Sequence, residues 1–244
     1  MRMHKMIVVV VGLVLAGASA RGAITGVVNV DMQRTAAPAT TLYSGQGAYS
    51  DPGNNYWNPY NATLLDTPIT NLWTSTQLEQ TTVDFAFTPL LGDTRFMGGN
   101  NGTPTGPYAN LLANYALTFG TMDAVISGLI AGNAYDLYLY STANGQHQGA
   151  RFTIGGDTRD VEGGPGVVGT PTSFIAYPTD DSNYTLYSGV VADGFGSITF
   201  NMTNYQAAAA LNGFQIVGTF LPEPSTAMLL GLGGLLLRRR RRYS

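Results

Sequence analysis

The feature that most constrains the fold of this chain is a period-two alternation of apolar and polar residues in short runs. The clearest run is Tyr-Asp-Leu-Tyr-Leu-Tyr at 135–140. In an extended strand Tyr135, Leu137 and Leu139 share one face, whereas Tyr138 and Tyr140 lie on the other. Glycine, proline, asparagine and aspartate cluster between such runs at intervals of about ten residues, a spacing typical of β-sandwiches and barrels.

We therefore predict an all-β fold, an antiparallel β-sandwich or barrel. Two turns, at 127–134 and 192–195, contain glycines that tolerate positive φ, and they are predicted to join adjacent antiparallel strands. The predicted strands are 24–30, 81–87, 122–127, 134–140, 149–154, 184–191, 196–202 and 209–219.

One segment departs from the strand pattern. Behind Pro107, the residues Tyr108, Leu111, Leu112 and Tyr115 recur at helical spacing. Proline is tolerated in the first turn of a helix, where its missing N–H would have no partner. We therefore predict one short helix near 107–115.

The N-terminal segment has the three parts of a secretory signal peptide. Residues 1–5 are basic, residues 6–17 are apolar, and Ala18-Ser19-Ala20 is a small-residue cleavage site. The apolar part has 12 residues, fewer than the roughly 20 that a spanning helix needs. Residues 1–20 are thus predicted to form a signal helix that signal peptidase removes.

The C-terminal segment, 221–244, combines three features. Pro222, Glu223 and Pro224 predict an extended linker, because prolines fix φ and lack an N–H. A short uncharged apolar run at 227–237 follows and predicts a hydrophobic helix. Under the positive-inside rule, the terminal arginines keep the chain end on the cytoplasmic side. These arginines are Arg238, Arg239, Arg240, Arg241 and Arg242.

This combination resembles the PEP-CTERM sorting signal of exported bacterial proteins. The resemblance implies recognition by an exosortase-type membrane protease, which removes the tail near Pro222-Glu223-Pro224. It also implies transient membrane contact through the tail, followed by delivery to the cell surface or extracellular matrix. The alternatives are an ordinary single-span anchor and a buried C-terminal element.

The body between these segments, 21–220, is acidic and lacks cysteine. Seven of the 12 basic residues lie in the end segments and 14 of the 15 acidic residues lie in the body, which leaves five arginines and a net charge of −9. Such a surface repels phosphate backbones, which excludes nucleic acid as an expected partner. Without disulfides, the single domain depends on packing alone.

The body also carries a resemblance of its own. The runs at 126–129, 135–140, 149–156 and 210–217 resemble galactose-binding-like jelly-roll β-sandwiches of exported bacterial proteins. The resemblance implies two antiparallel sheets with the first and last strands close together. It also implies glycan binding and allows a structural calcium ion.

The sequence assigns no catalytic residue. The body has one histidine, His147, and no Gly-x-Ser-x-Gly motif, so a serine triad is disfavoured. Glycoside hydrolysis needs only two carboxylates about 5 to 10 Å apart, so a carbohydrate-active enzyme is kept as an alternative. The carboxylates that could form such a pair are Asp136, Asp157, Asp160, Glu162, Asp180 and Asp181.

Two clusters are candidate binding sites. Aromatic rings and amides alternate at 49–60, where Tyr56, Trp57 and Tyr60 would stack on a sugar; the alternative is that these rings pack the loop itself. At 180–183, Asp180, Asp181 and Asn183 offer oxygens to calcium, against an ordinary turn. No other cofactor is expected.

Together these patterns predict an exported, non-catalytic surface or matrix protein for adhesion or glycan contact. A purely structural matrix protein and a carbohydrate-active enzyme are the alternatives. The expected partners are signal peptidase, an exosortase-type protease and a polysaccharide.

Overall fold

The computed structural model describes residues 22–33, 43–51, 55–61, 67–88, 95–96, 109–143, 149–163, 174–206 and 208–223. Within these ranges the chain forms thirteen strands and one short helix. The elements are β1 (Ile24–Gln33), β2 (Asn58–Asn61), β3 (Asp84–Thr88), β4 (Arg95–Phe96), α1 (Ala109–Ala113), β5 (Ala116–Thr118), β6 (Thr121–Ser127), β7 (Ala134–Tyr140), β8 (Ala150–Ile154), β9 (Asp157–Val161), β10 (Tyr184–Val191), β11 (Ile198–Asn204), β12 (Ala209–Leu211) and β13 (Gly213–Phe220).

Two five-stranded sheets enclose the core. The front sheet has the strand order β10-β7-β13-β1-β2, and the back sheet has the order β3-β6-β11-β8-β9. A smaller third sheet has the order β12-β5-β4. The strand pairs are antiparallel except for β1 with β2, which is parallel. The predicted all-β, antiparallel sandwich is confirmed.

The first and last strands pair in the centre of the front sheet. β1 runs antiparallel to β13, from Ile24 opposite Phe220 to Asp31 opposite Gly213. This is the proximity that the jelly-roll resemblance implied. It brings the start and the end of the folded body to one end of the sandwich.

The core follows directly from the period-two alternation. Leu137 and Leu139 of β7 are fully buried between the sheets, together with inward-facing residues of β13 and β11. The ring of Phe85 in the back sheet lies 4.8 Å, centroid to centroid, from the ring of Phe214 in the front sheet. Aromatic contacts of this kind join the two sheets in a domain that has no disulfide to do so.

Both predicted turns are present, but the prediction that they join neighbouring strands of one sheet is wrong. The turn after Ser127 carries the chain from β6 in the back sheet to β7 in the front sheet, with Gly128 at φ 72° and Gly132 at φ 77°. The turn after Val191 carries it from β10 to β11, with Gly196 at φ 73°. A turn sequence specifies a chain reversal, but not which sheet the next strand enters.

The strand and helix bounds agree with the prediction to different degrees. β7 and β10 have the predicted bounds, and the predicted helix at 107–115 is observed as α1. The predicted strand 209–219 is divided at Asn212, whose buried amide accepts a hydrogen bond from Thr142 N (2.6 Å) and donates one to Asn114 O (2.9 Å). The two predicted terminal helices lie outside the described residues.

Part of the outer face of the front sheet is covered as well. α1 and the segment 43–51 pack over it, and Trp57 joins Tyr43, Tyr140, Leu111 and Leu112 in a second apolar cluster. This cover also buries polar side chains that alternate with the core residues of β1 and β13. They are Asn29, Asp31, Gln33 and Gln215.

Asp31 is the buried acid beneath this cover. Its Oδ2 accepts hydrogen bonds from Gln33 Nε2 and from Tyr43 N (3.3 Å), whereas Oδ1 has no hydrogen-bond partner in the described part of the chain. Burial raises the pKa of this carboxyl well above its usual value, against the smaller lowering effects of the Tyr43 and Gln33 hydrogen bonds.

The raised pKa makes stability depend on pH. Above about pH 3.9, where an unfolded aspartate ionises, the unfolded chain releases a proton that the folded protein retains, so stability falls as pH rises toward the folded pKa. We expect Asp31→Asn to remove this loss, which is about 1.4 kcal/mol for each unit by which the pKa is raised. Urea unfolding between pH 4 and 7 measures it, with exposed Asp180→Asn as the control. Parallel profiles for wild type and Asp31→Asn would contradict the assignment.

Candidate functional site

Two of the three predicted sugar-stacking residues are buried. Trp57 is 1% exposed, its Nε1 donates to Gly45 O (2.9 Å), and its ring contacts those of Tyr43 and Tyr140. Tyr60 is fully buried between the sheets against Phe85. Because neither ring face is accessible, the sugar platform expected at Trp57 and Tyr60 is corrected to the alternative, loop packing. Tyr56 is half-buried.

A different set of aromatic rings lies at the surface. Tyr49, Tyr138 and Tyr184 are half-buried and form a row across the outer side of the front sheet. The ring centroids of Tyr49 and Tyr138 are 6.0 Å apart, and those of Tyr138 and Tyr184 are 6.3 Å apart with planes inclined by 26°. We call these three residues the tyrosine row.

Strand geometry positions two members of the row. Tyr138 lies on β7 between the inward-facing Leu137 and Leu139, so its ring projects outward. On β10, Tyr184 is opposite Tyr140 in the antiparallel register, which places it diagonally from Tyr138. The two rings therefore sit side by side on neighbouring strands.

A buried amide holds the third member. Gln215 of β13 accepts a hydrogen bond from Tyr49 N (3.0 Å) through Oε1, and its Nε2 donates to Tyr49 O (3.3 Å) and to Asn29 Oδ1 (3.0 Å). The Tyr140 hydroxyl donates to the same Oε1 and accepts from Ala48 N (2.6 Å). Gln215 thus fixes the backbone of Tyr49 over the sheet.

The close approach of this segment also needs a glycine. A β-carbon at Gly47 would lie 2.0 Å from Gln215 Oε1, far inside van der Waals contact. Only a residue without a side chain lets the 43–51 backbone reach the Gln215 amide. We call the interaction of Gln215 with Tyr140 and the 47–49 backbone the glutamine latch.

The surroundings of Tyr138 and Tyr184 favour neutral hydroxyl groups. Burial raises the pKa of Tyr138, and the charge of Asp136 and the neighbouring Tyr184 and Tyr49 raise it further. Burial raises the pKa of Tyr184 as well. Asp136, on the same face as Tyr138, accepts hydrogen bonds from Ser188 Oγ (2.7 Å) and Gly189 N (2.9 Å). The row therefore combines apolar ring surface with phenol donors and one carboxylate.

The predicted calcium residues are positioned as parts of a turn. Asn183 is buried and its Oδ1 accepts a hydrogen bond from Ile175 N (3.0 Å). Asp181 has φ 63° and its N–H donates to Glu162 Oε2 (3.3 Å), while Asp180 is exposed. Among the described residues, no group of three or more histidine, cysteine or acidic side chains could hold a metal ion. Calcium binding at Asp180, Asp181 and Asn183 stays a prediction.

Several candidate carboxylates have structural partners. Asp160 pairs with Arg151 at 2.6 Å, and Asp157 pairs with Arg159 at 2.7 Å. The Arg159 guanidinium also lies 4.2 Å from the centroid of the Tyr187 ring. These acids bridge neighbouring positions on β8 and β9, and His147 lies outside the described residues.

The beginning of the sorting segment is held against the body. Pro222 forms a bridge with Thr81, Thr82 N donates to Leu221 O (3.0 Å), and Glu223 N donates to Gln80 O (2.8 Å). Pairing with the body thus continues through Glu223, beyond the predicted domain boundary at residue 220. Pro224 and Arg238–Arg242 lie outside the described residues. Within the described ranges, no helix has the length and apolar character to cross a bilayer.

Comparison with known proteins leaves the family open, since no protein-family model and no curated protein matches the chain. Among solved structures it is similar to the ANXUR1 extracellular domain from Arabidopsis thaliana (12% identity, TM-score 0.39, 79% of this chain and 48% of that one). It is also similar to the plant receptor-like kinase FER (12% identity, TM-score 0.28, 43% of this chain and 28% of that one). A third similar structure is the enzymatically active domain of bacteriophage CBA120 tailspike protein 4 (12% identity, TM-score 0.25, 57% of this chain and 19% of that one). The chain covers less than half of each of these structures, and at these TM-scores the likeness carries no argument about function.

Sequence reasoning missed the row as a site, although one signal was present. The alternation had already placed Tyr138 on the face opposite the core. Tyr184 begins a correctly predicted strand, but its neighbour across the sheet depends on the strand order. Gln215 carries no local signal, because an inward or covered glutamine looks like an exposed one in sequence.

The burial of Trp57 gives a direct test of the packing interpretation. We expect Trp57→Ala to lower the free energy of unfolding by about 3 to 5 kcal/mol, because it leaves a cavity among Tyr43, Tyr140 and α1. Urea denaturation measures the loss, and Tyr56→Ala, at a half-buried ring in the same segment, is the control with the smaller effect. A change below about 1 kcal/mol for Trp57→Ala would contradict the packing assignment.

Proposed function

We propose that this protein is an exported, non-catalytic β-sandwich that contacts glycans through the tyrosine row. The single observation that carries the proposal is the succession of Tyr49, Tyr138 and Tyr184 at centroid spacings of 6.0 and 6.3 Å, with all three rings half-buried at the edge of the covered part of the sheet face. Tyr138 and Tyr184 pack against the buried Trp57 cluster, yet all three rings keep part of their surface accessible. They are well suited to a ligand with successive flat apolar faces.

Sugar rings meet this description. The C–H faces of a sugar stack on aromatic rings, while its hydroxyl groups need a few fixed polar partners. The phenol hydroxyls and Asp136 would supply those partners at the row. The net charge of −9 on the body disfavours polyanions, so a neutral polysaccharide is the proposed ligand class.

Rigid support of the row lowers the conformational entropy that is lost on ligand binding. Tyr138 and Tyr184 belong to paired strands of the front sheet, and the glutamine latch fixes Tyr49 before any ligand arrives. Side chains that are already ordered lose little conformational entropy on binding.

The proposed delivery depends on the two end segments. A signal peptide at 1–20 would start export, and the tail at 221–244 would hold the protein in the membrane until an exosortase-type protease removes it. The Pro-Glu-Pro motif, the apolar run at 227–237 and the five terminal arginines support this proposal. The destination would be the cell surface or the extracellular matrix.

Substitution within the row tests glycan contact. We expect Tyr138→Ala to abolish retention on neutral polysaccharides in a pull-down, because it removes the central ring. Tyr138→Phe keeps the ring and should retain most of the binding. Tyr205→Ala, at a half-buried tyrosine directly after β11 of the back sheet, should leave binding and melting temperature unchanged.

Three outcomes would contradict glycan contact at the row. They are failure of the wild-type protein to bind any neutral or acidic polysaccharide, equal binding by wild type and Tyr138→Ala, and polysaccharide turnover that a single carboxylate substitution abolishes. The first outcome would favour a purely structural matrix protein, and the last a carbohydrate-active enzyme.

Pairing of the Leu221–Glu223 backbone with the body narrows the range of bonds at which the tail is proposed to be cut. Proteases need accessible, unpaired backbone, and the bonds from residue 221 to 223 are paired with 80–82. We expect mass spectrometry of the protein recovered outside the producing cells to find a C-terminus at or just after Glu223. A C-terminus before Pro222 would contradict the protection, and intact Arg238–Arg242 would contradict sorting itself.

A further inference from the structure

One end of the sandwich is built from four chain segments that are linked by hydrogen bonds. Leu129 N, in the turn after β6, donates to Gly196 O in the turn after β10 (3.0 Å). On its other side the same turn accepts a hydrogen bond at Gly128 O from the Thr82 hydroxyl (2.6 Å), and Thr82 N binds Leu221 O. We call this surface the exit end, because the chain leaves the body here after Glu223.

The exit end carries exposed apolar side chains. Phe195 is 94% exposed at the tip of the turn between β10 and β11, and Val191, at the end of β10, is 61% exposed. Leu221, at the end of the C-terminal strand, is 44% exposed. Three of the five large apolar side chains that are exposed among the described residues therefore lie at this one end.

The chain outside the described body leaves from the same place. Because Ile24 pairs with Phe220, the N-terminal segment also joins the body at the exit end. The apolar run begins at residue 227, four residues after the docked Glu223. Four residues span at most about 14 Å even when fully extended. An apolar run inserted in a bilayer would thus hold the exit end close to the membrane surface.

We propose that the exit end is a membrane-contact surface, with Phe195, Val191 and Leu221 resting in the interface of the lipid bilayer while the tail is inserted. The proposal rests on the proposed insertion of the tail at 227–237. Apolar side chains gain free energy when they leave water for the interface, and tethering supplies the proximity that three side chains alone would not.

The charges at the exit end define the kind of lipid surface. Asp193 lies beside Phe195, and its Oδ1 accepts hydrogen bonds from Phe195 N and Ser197 N (both 2.9 Å). Glu223 lies at the chain exit, and neither acid would be attracted to anionic headgroups. The contact is therefore apolar and shallow, and it suits a zwitterionic surface rather than an anionic one.

This orientation leaves the tyrosine row accessible. β7 starts at Ala134, next to the exit end, and Tyr138 lies four residues further along, about 13 Å away. The row then faces sideways above the bilayer, so that an anchored molecule could contact glycan before its tail is removed.

The chain has no cysteine, so single-cysteine labelling provides a clean test. Full-length Phe195→Cys and Thr121→Cys variants carry the same small fluorophore and are reconstituted into phosphatidylcholine vesicles, some containing a headgroup-attached quencher. Thr121 is an exposed matched control at the far end of β6, about 20 Å from the exit end. We expect loss of fluorescence at position 195 and little loss at position 121, with equal melting temperatures for both variants.

The other outcomes separate the two proposals. If the protein floats with the vesicles but both labels are quenched equally, the membrane-contact surface is overturned and tail insertion stands. If the label at position 195 is shielded from both lipid-attached and aqueous quenchers, a protein partner covers the exit end and the proposal is likewise overturned. Failure to float with the vesicles overturns tail insertion and, with it, the contact surface.

Discussion

The pairing of β13 with β1 and β7 in the centre of the front sheet is the interaction on which the rest of the structure depends. On its inner side β13 contributes Phe214 and Ile216 to the core, and on its outer side it presents Gln215 between Asn29 and Tyr138. The same strand ends at Phe220 beside the start of β1. The core, the glutamine latch and the exit end therefore all depend on the register of β13. A shift of β13 by one residue would exchange its core face and its latch face.

The partly covered outer face of the front sheet explains how aromatic rings are held in place at the surface of this acidic, cysteine-free body. Trp57, Tyr43 and α1 bury the part of this face around Tyr140, and the latch adds hydrogen bonds that typically contribute about 0.5 to 1.5 kcal/mol each. The cover stops before Tyr138 and Tyr184, whose rings stay half-buried. The proposed binding row is thus the uncovered margin of a packed aromatic cluster, held rigid by its buried neighbours.

Much of the fold could be predicted because alternation is a local property. β7 and β10 have their predicted bounds, and the buried face of β7 is the one that Leu137 and Leu139 indicated. Strand order is not local, so the two glycine turns were assigned to hairpins although they cross between sheets. For the same reason the sugar-stacking role predicted for Trp57 and Tyr60 is wrong: both rings turn inward, whereas Tyr49 lies beside Tyr138, which is 89 residues away in sequence. Four short strands, β2, β4, β5 and β9, also escaped prediction because pairing rather than composition defines them.

The central claim is that the tyrosine row, rather than the loop tryptophan, meets the ligand. Nuclear magnetic resonance of the processed protein with isotope-labelled tyrosine rings, titrated with a neutral oligosaccharide, observes every tyrosine at once. We predict that the ring signals of Tyr49, Tyr138 and Tyr184 shift together with one affinity, while those of the buried Tyr43, Tyr60 and Tyr140 stay in place. Shifts confined to other tyrosines, or no shift at saturating oligosaccharide, would contradict it.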